Sequence, residues 1–79
     1  MDIKADATLD CVGTYCPMPV VKTTLALEEM KPGQVLELVA DDPGVKQDIP
    51  NWCKMTGNEF LGMEEQGSEV KLYVRKKKE

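Results

Sequence analysis

Length, composition and charge limit what this chain can be. Its 79 residues predict one domain, 1–79, and so short a chain buries only about 60% of its unfolded-state surface, which leaves little room for an internal ligand cavity. No apolar run approaches the roughly 20 residues that span a bilayer, and the first ten residues lack the apolar core of a signal peptide, so we expect a cytoplasmic protein without a membrane partner. The net charge of −4 argues against direct binding of nucleic acid.

The first strand and the first helix are predicted on either side of a glycine. ATLDCV, residues 7–12, is typical of a short strand, which Gly13 ends. From Pro17 to about Met30 the pattern becomes helical, and the KPG of residues 31–33 ends the helix. The predicted inner faces hold Ala7, Leu9 and Cys11 in the strand and Val20, Val21, Thr24, Leu25 and Leu27 in the helix, opposite Lys22 and Glu29.

A second strand and a second helix are predicted next. QVLELVA, residues 34–40, is nearly all apolar and predicts an interior strand covered on both faces or by parallel neighbours. DDPG, residues 41–44, predicts a helix start with Asp42 as the N-cap and Pro43 as the first helical residue. Because a proline inside a helix costs about 3 kcal/mol, Pro50 predicts a short first turn and then a main helix over 49–56, which Gly57 ends.

The last segment predicts a hairpin and completes the fold. Residues 58–76 read as two strands that turn at QGS, 66–68, and apolar residues alternate with polar ones from Val70 to Arg75. The order is therefore β-α-β-α-β-β, with two crossover helices and one hairpin. This order predicts an α+β fold, a two-layer sandwich in which a four-stranded mixed sheet carries both helices on one face.

Cys16 is predicted to lie at the N-terminus of the first helix. A helix N-terminus favours a thiolate through its partial positive charge and its unpaired N–H groups, and it lowers a cysteine pKa from about 8.5 to about 3.5–7.5. Pro17 and Pro19 are predicted to fit the first turn and to stiffen it. Because proline has no backbone N–H, the nearby N–H groups that can bond to the sulfur are those of Met18 and Val20. Since the chain has no histidine, a Cys–His dyad is excluded. The sequence predicts a nucleophilic thiolate without a base; the alternative is a small residue that merely starts a helix.

The CPMP of residues 16–19 matches the Cys-Pro-x-Pro motif of the TusA/SirA-like sulfur carrier family. The resemblance covers about residues 8–75, with LDCVG before the motif, MKPGQVLELVADDPG and DIPNWCKMTGNEFL after it, and a closing hairpin. It implies the same β-α-β-α-β-β fold, with Cys16 carrying sulfur as a persulfide. The family commonly has Gly-Leu-Arg-Cys where this chain has GTYC, so Thr14 and Tyr15 leave the identity of the partners open.

The resemblance also implies the kind of activity and partner. It indicates a relay protein rather than a stand-alone enzyme, which needs no base, metal or organic cofactor. The donor would be a persulfide protein such as a cysteine desulfurase, and the acceptor another protein's cysteine, for example in tRNA thiolation. We expect such a carrier to be a monomer.

The two other cysteines have structural alternatives. Cys11 is predicted either as a small core residue or as a resolving thiol that closes a disulfide on Cys16. Cys53 is predicted to pack inside the second helix, because free cysteines are commonly buried. Three cysteines with no histidine and no Cys-x-x-Cys pair predict no metal site.

Three further residues are candidates for an accessory role. Asp10 lies at the edge of the first strand. Asp48 is interpreted as a cap for the helix around Pro50 or as part of a partner surface. Met18, in the variable position of the motif, either contacts a partner near the sulfur or packs.

Two other functions stay open. One is a thiol-disulfide redox module that uses Cys16 with Cys11. The other is a regulatory or RNA-contacting adaptor that binds through the RKKK of residues 75–78, which is otherwise a solvated tail.

Overall fold

The elements follow one another in the order that the sequence predicts. The computed structural model describes residues 4–13 and 18–77, and of residues 18 and 19 only the backbone. Within these ranges the elements are β1 (Ala7–Asp10), α1 (Met18–Glu28), β2 (Val35–Ala40), α2 (Val45–Thr56), β3 (Glu59–Gln66) and β4 (Glu69–Arg75). The predicted α+β class with its β-α-β-α-β-β order is confirmed.

The sheet is mixed and has the strand order β1-β2-β4-β3. β1 pairs with β2 in parallel, whereas β4 pairs with β2 and β3 antiparallel. The helices pack against each other and against one face of the sheet. Because β1 and β2 run in the same direction, their carboxyl ends lie side by side, with Asp10 opposite Val39.

The core lies between the helices and a single face of the sheet. Leu36, Leu38 and Ala40 of β2 are fully buried, while the residues between them are only half-buried. The predicted interior position of this strand is confirmed, with β1 as a parallel neighbour, and only the alternative that both of its faces are covered is wrong. The physical reason is that both helices occupy the same face, so that the other face carries Glu37, which accepts a hydrogen bond of 3.0 Å from the Tyr73 hydroxyl.

The inner face of α1 differs from the predicted one. Thr23 and Leu27 are buried, and Val20 and Met30 pack beside them, which gives the spacing of three, four and three residues that one helical face requires. Val21 and Leu25, predicted to face inward, are 43% and 57% exposed. Hydropathy predicts the wrong face because it counts threonine as polar. A threonine hydroxyl can instead donate its hydrogen bond within the helix, as that of Thr24 does to the Val20 carbonyl at 2.9 Å.

α2 begins two residues after the predicted start at Pro43 and continues through Pro50 without the predicted break. Its N-cap is Gly44, so neither Asp42 nor Pro43 has the predicted position, although the Asp42 carboxylate accepts a hydrogen bond from the Gly44 N–H at 3.0 Å. Asp48 lies inside the first turn, where its N–H donates to the Gly44 carbonyl at 3.0 Å, and the prediction that it caps a helix is wrong.

Burial explains why the helix tolerates Pro50. Val45, Ile49 and Cys53 lie one turn apart and are buried against the sheet. Burying a valine or isoleucine side chain contributes about 1.5–3 kcal/mol each, which offsets the roughly 3 kcal/mol cost of an internal proline. The predicted end of the helix is confirmed: Gly57 has a φ of 84°, and its N–H donates to the Cys53 carbonyl at 2.9 Å.

The basic segment near the C-terminus contacts the ends of both helices. The Lys76 ammonium donates to the Met30 carbonyl, just beyond α1, at 2.6 Å, and that of Lys77 donates to the Thr56 carbonyl, at the end of α2, at 3.1 Å. Helix C-termini carry a partial negative charge, so these lysines stabilise both ends. Lys76 is partly buried, so for this residue the prediction of a solvated tail is wrong, whereas Lys77 is exposed.

Replacing Pro50 with alanine tests the account of α2. Alanine restores an N–H that can donate to the carbonyl of Lys46 one turn earlier, so we expect Pro50→Ala to raise the free energy of unfolding by about 2 kcal/mol, after allowance for the stiffer unfolded chain of the proline form. Urea denaturation measures this change. Pro43→Ala, outside the helix, serves as the control and should show no comparable gain. A less stable Pro50→Ala protein would contradict the explanation.

Candidate functional site

The loop between β1 and α1 contains the motif cysteine, and the structure describes both ends of this loop. Thr14, Tyr15, Cys16 and Pro17 lie outside the described residues, as do the side chains of Met18 and Pro19. Cys16 precedes the first residue of α1 by two positions in the sequence. The predicted placement of Cys16 between the first strand and the first helix therefore agrees with the element order, while Met18 and Pro19 of the motif are the first two residues of α1.

Three consecutive backbone N–H groups anchor the segment that enters the loop. The N–H of Cys11 donates to the Val39 carbonyl at 2.7 Å, and that of Val12 donates to the Asp10 carboxylate at 2.9 Å. The N–H of Gly13 donates to the Asp41 carboxylate at 3.0 Å. Gly13 has a φ of 84°, a conformation that favours glycine, and here the chain turns away from the strand direction.

One of these anchoring groups was not found from the sequence. Asp10 was a candidate because it lies at the edge of the first strand, and the structure gives it a hydrogen bond to the loop. Asp41 was interpreted only as part of a helix start. The available signal was the parallel order of β1 and β2, which brings the residue after β2 next to the residues after β1.

The electrostatic setting of the loop has two opposing parts. α1 as described has no acidic residue in its first turn, so its own side chains do not offset the partial positive charge of the helix N-terminus. The carboxylates of Asp10 and Asp41 lie at the entry to the loop, and their negative charges disfavour a further negative charge on a thiol nearby. Each carboxylate already accepts an amide N–H, which neutralises part of its field.

The two described cysteines are core residues. Cys11 and Cys53 are 0% and 2% exposed, so both side chains are buried in the core. Burial raises the pKa of Cys53 to about 11, so that its thiol is neutral at physiological pH. The packing predicted for Cys53 is confirmed, and Cys11 has the burial that its packing alternative requires.

Two other classes of site were sought in the described part of the chain. Across residues 4–13 and 18–77, no three histidine, cysteine, aspartate or glutamate side chains are grouped so that they could hold a metal ion. No helix in these ranges is both long enough and apolar enough to cross a membrane.

The fold and the sequence each match known proteins. A SirA-like protein from Desulfitobacterium hafniense has the same fold, with a TM-score of 0.77 over 90% of this chain and 97% of that chain, at 22% identity. The model of the family described as "Sulfurtransferase TusA" matches residues 7–76. The chain belongs to the TusA family.

Relatives of different length share this sequence. The sulfur carrier protein TusA of Pseudomonas entomophila is 40% identical over 76 residues, which cover 96% of this chain and 95% of that protein. YrkF of Bacillus subtilis is 43% identical over 74 residues, which cover 94% of this chain but 40% of YrkF. The chain thus spans less than half the length of YrkF.

Titration of single thiols tests the electrostatic account of the loop. In variants that keep one cysteine each, we expect the thiol of Cys16 to ionise at lower pH than that of Cys53, because a helix N-terminus favours the thiolate while burial disfavours it. Far-ultraviolet thiolate absorbance against pH measures both. A Cys16 titration at or above that of Cys53 would remove the helix-terminus argument.

Proposed function

We propose that the protein is a sulfur carrier that holds sulfur as a persulfide on Cys16. The observation that carries the proposal is the position of Cys16 in the sequence between an anchored strand end and the start of α1, within a chain that matches the TusA family over residues 7–76. Relatives named as sulfur carriers support the same function.

Sulfur would enter and leave by thiolate exchange. The Cys16 thiolate attacks the outer sulfur of a persulfide on the donor protein, a new S–S bond forms at Cys16, and the donor's S–S bond breaks. The donor cysteine leaves as a thiolate, so charge is conserved and no external oxidant or reductant is needed. The acceptor's cysteine then attacks the outer sulfur on Cys16 in the same way.

This chemistry requires an activated thiolate but no general base. A helix N-terminus supplies N–H groups and partial positive charge for both the thiolate and the anionic persulfide. Proline has a fixed φ and no backbone N–H, so Pro17 and Pro19 would stiffen the chain around the thiol. A chain without histidine is suited to such a transfer.

The partners are proteins whose reactive cysteines come into contact with the loop. A cysteine desulfurase is the class of donor that we propose, and the acceptor is a cysteine protein, for example of a tRNA thiolation pathway. The net charge of −4 and the carboxylates of Asp10 and Asp41 beside the loop favour basic surfaces around those cysteines.

Formation of the persulfide is the direct test. The reduced protein is incubated with a cysteine desulfurase and cysteine, and its intact mass and peptide map are measured. We expect a gain of one sulfur atom that reductant removes, located on the peptide that contains Cys16 and absent from Cys16→Ser.

Cys11 and Cys53 are internal controls in this experiment. Polysulfide formed in such a mixture can transfer sulfane sulfur to any accessible thiolate, but both side chains are buried and should stay unlabelled in the folded protein. Equal labelling of all three cysteines, or none at Cys16 with several donors, would contradict the carrier function. If Cys11→Ala also abolished turnover with a disulfide substrate, a dithiol redox module would replace it.

The two motif prolines provide a separate test. Replacing Pro17 and Pro19 with alanine keeps a good helix former in the first turn, so we expect the fold to persist. Sulfur acceptance by Cys16 should slow, because positions 17 and 19 lose the fixed φ of proline, which stiffens the start of the helix. Circular dichroism checks the fold, and the rate of persulfide formation checks the effect. An unchanged rate in a folded variant would show that the prolines do not activate the thiol.

A further inference from the structure

The Asp41 side chain joins the thiol loop to the sheet. It lies directly after β2, an interior strand that is bonded to β1 on one side and to β4 on the other. The backbone of the strand that leads to Asp41 is therefore held on both sides. Its carboxylate accepts the Gly13 N–H across 28 positions of sequence. Gly13 is the last described residue before the segment that contains Cys16.

The bond made by Asp10 is of a different kind. It links residues only two positions apart, Asp10 and Val12, and so shapes the local turn without tying it to another element. Cys11 is bonded to β2 through its backbone, but Gly13 lies two residues further along and turns with a positive φ. Through its hydrogen bond to Gly13, Asp41 therefore attaches this turn, and not only Cys11, to the sheet.

We propose that Asp41 is a positioning residue for sulfur transfer, holding Gly13 and the segment after it in the geometry that a protein-bound persulfide must meet. The inference rests on the proposed function and adds to it a residue outside the motif. Attack on a disulfide-type bond needs the incoming sulfur aligned with the bond that breaks, and displacement by about 1 Å can cost as much as 100-fold in rate.

The charge of Asp41 is not the useful property. A negative charge near a thiolate disfavours its formation, so an electrostatic role would make the aspartate a hindrance to the thiol. The acceptor oxygen, in contrast, holds the loop. Asparagine keeps that oxygen without the charge, and alanine removes both, so the two substitutions separate the effects.

The test compares Asp41→Ala and Asp41→Asn with a matched control, Asp6→Ala. The Asp6 carboxylate makes the same kind of bond, from the Val35 N–H at 2.8 Å across 29 positions of sequence, but at the opposite end of the β1–β2 pair. Two rates are measured for each protein: sulfur transfer from a persulfidated cysteine desulfurase to Cys16, with single-turnover rates followed against donor concentration, and alkylation of Cys16 by iodoacetamide against pH.

We expect Asp41→Ala to lower the maximal single-turnover rate of sulfur transfer by about tenfold or more, because the protein donor needs an aligned loop. Alkylation by a small reagent should keep at least its original rate, with a pH midpoint no higher than that of the unaltered protein. Asp41→Asn should restore transfer to near the original rate, and Asp6→Ala should leave it unchanged. Faster hydrogen exchange at the Gly13 amide in Asp41→Ala, but not in Asp6→Ala, should accompany the loss.

Several outcomes would overturn the inference. These are unchanged transfer in Asp41→Ala, an equal loss in Asp6→Ala, a loss in Asp41→Asn as large as in Asp41→Ala, or an equal slowing of alkylation and transfer. If Asp41→Ala does not fold by urea denaturation, Asp41→Asn decides the result, since a loss there in a folded protein contradicts a positioning role. If the unaltered protein accepts no sulfur at all, the proposed function itself fails, which the same measurement reveals.

Discussion

Parallel pairing of β1 with β2 is the constraint on which the thiol loop depends. Two parallel neighbours require a crossover between them, and α1 is that crossover. Their carboxyl ends then lie side by side, so that the residue after β2, Asp41, reaches the turn after β1. The start of α1 follows within five residues of that turn. The chemistry of the motif thus depends on a backbone pairing made by just four residues of β1.

The sequence predicted the element order and the sheet class because both follow from local signals and general topology. Glycine and proline mark most boundaries, and Gly57 ends α2 as its conformational freedom predicts. The orientation of α1 was not predictable from hydropathy, since a buried threonine replaces the more apolar Val21 and Leu25 at the core. The sequence predicts a break in α2 at Pro50 because the cost of an internal proline is a local property. The burial that offsets this cost is a tertiary property, which the local sequence does not indicate.

The candidate site shows the same division between local and non-local information. The motif around Cys16 is a local pattern, and the chemistry of a helix N-terminus follows from it. Asp41 became recognisable only with the strand order, because its bond joins residues that are 28 positions apart. Burial likewise makes Cys53 unlike a reactive thiol, because it raises the pKa of this side chain to about 11. Burial depends on tertiary packing, so the residue type alone does not indicate it.

The position of β4 has a consequence for synthesis of the protein. β4 lies between β2 and β3 and supplies Val70, Leu72 and Val74 to the core, yet it is the last of the strands along the chain. A nascent chain on the ribosome that lacks β4 has no central strand on which β2 and β3 can meet. The strands that anchor the segment before Cys16 are therefore translated early, but the sheet that holds them is complete only when β4 has emerged.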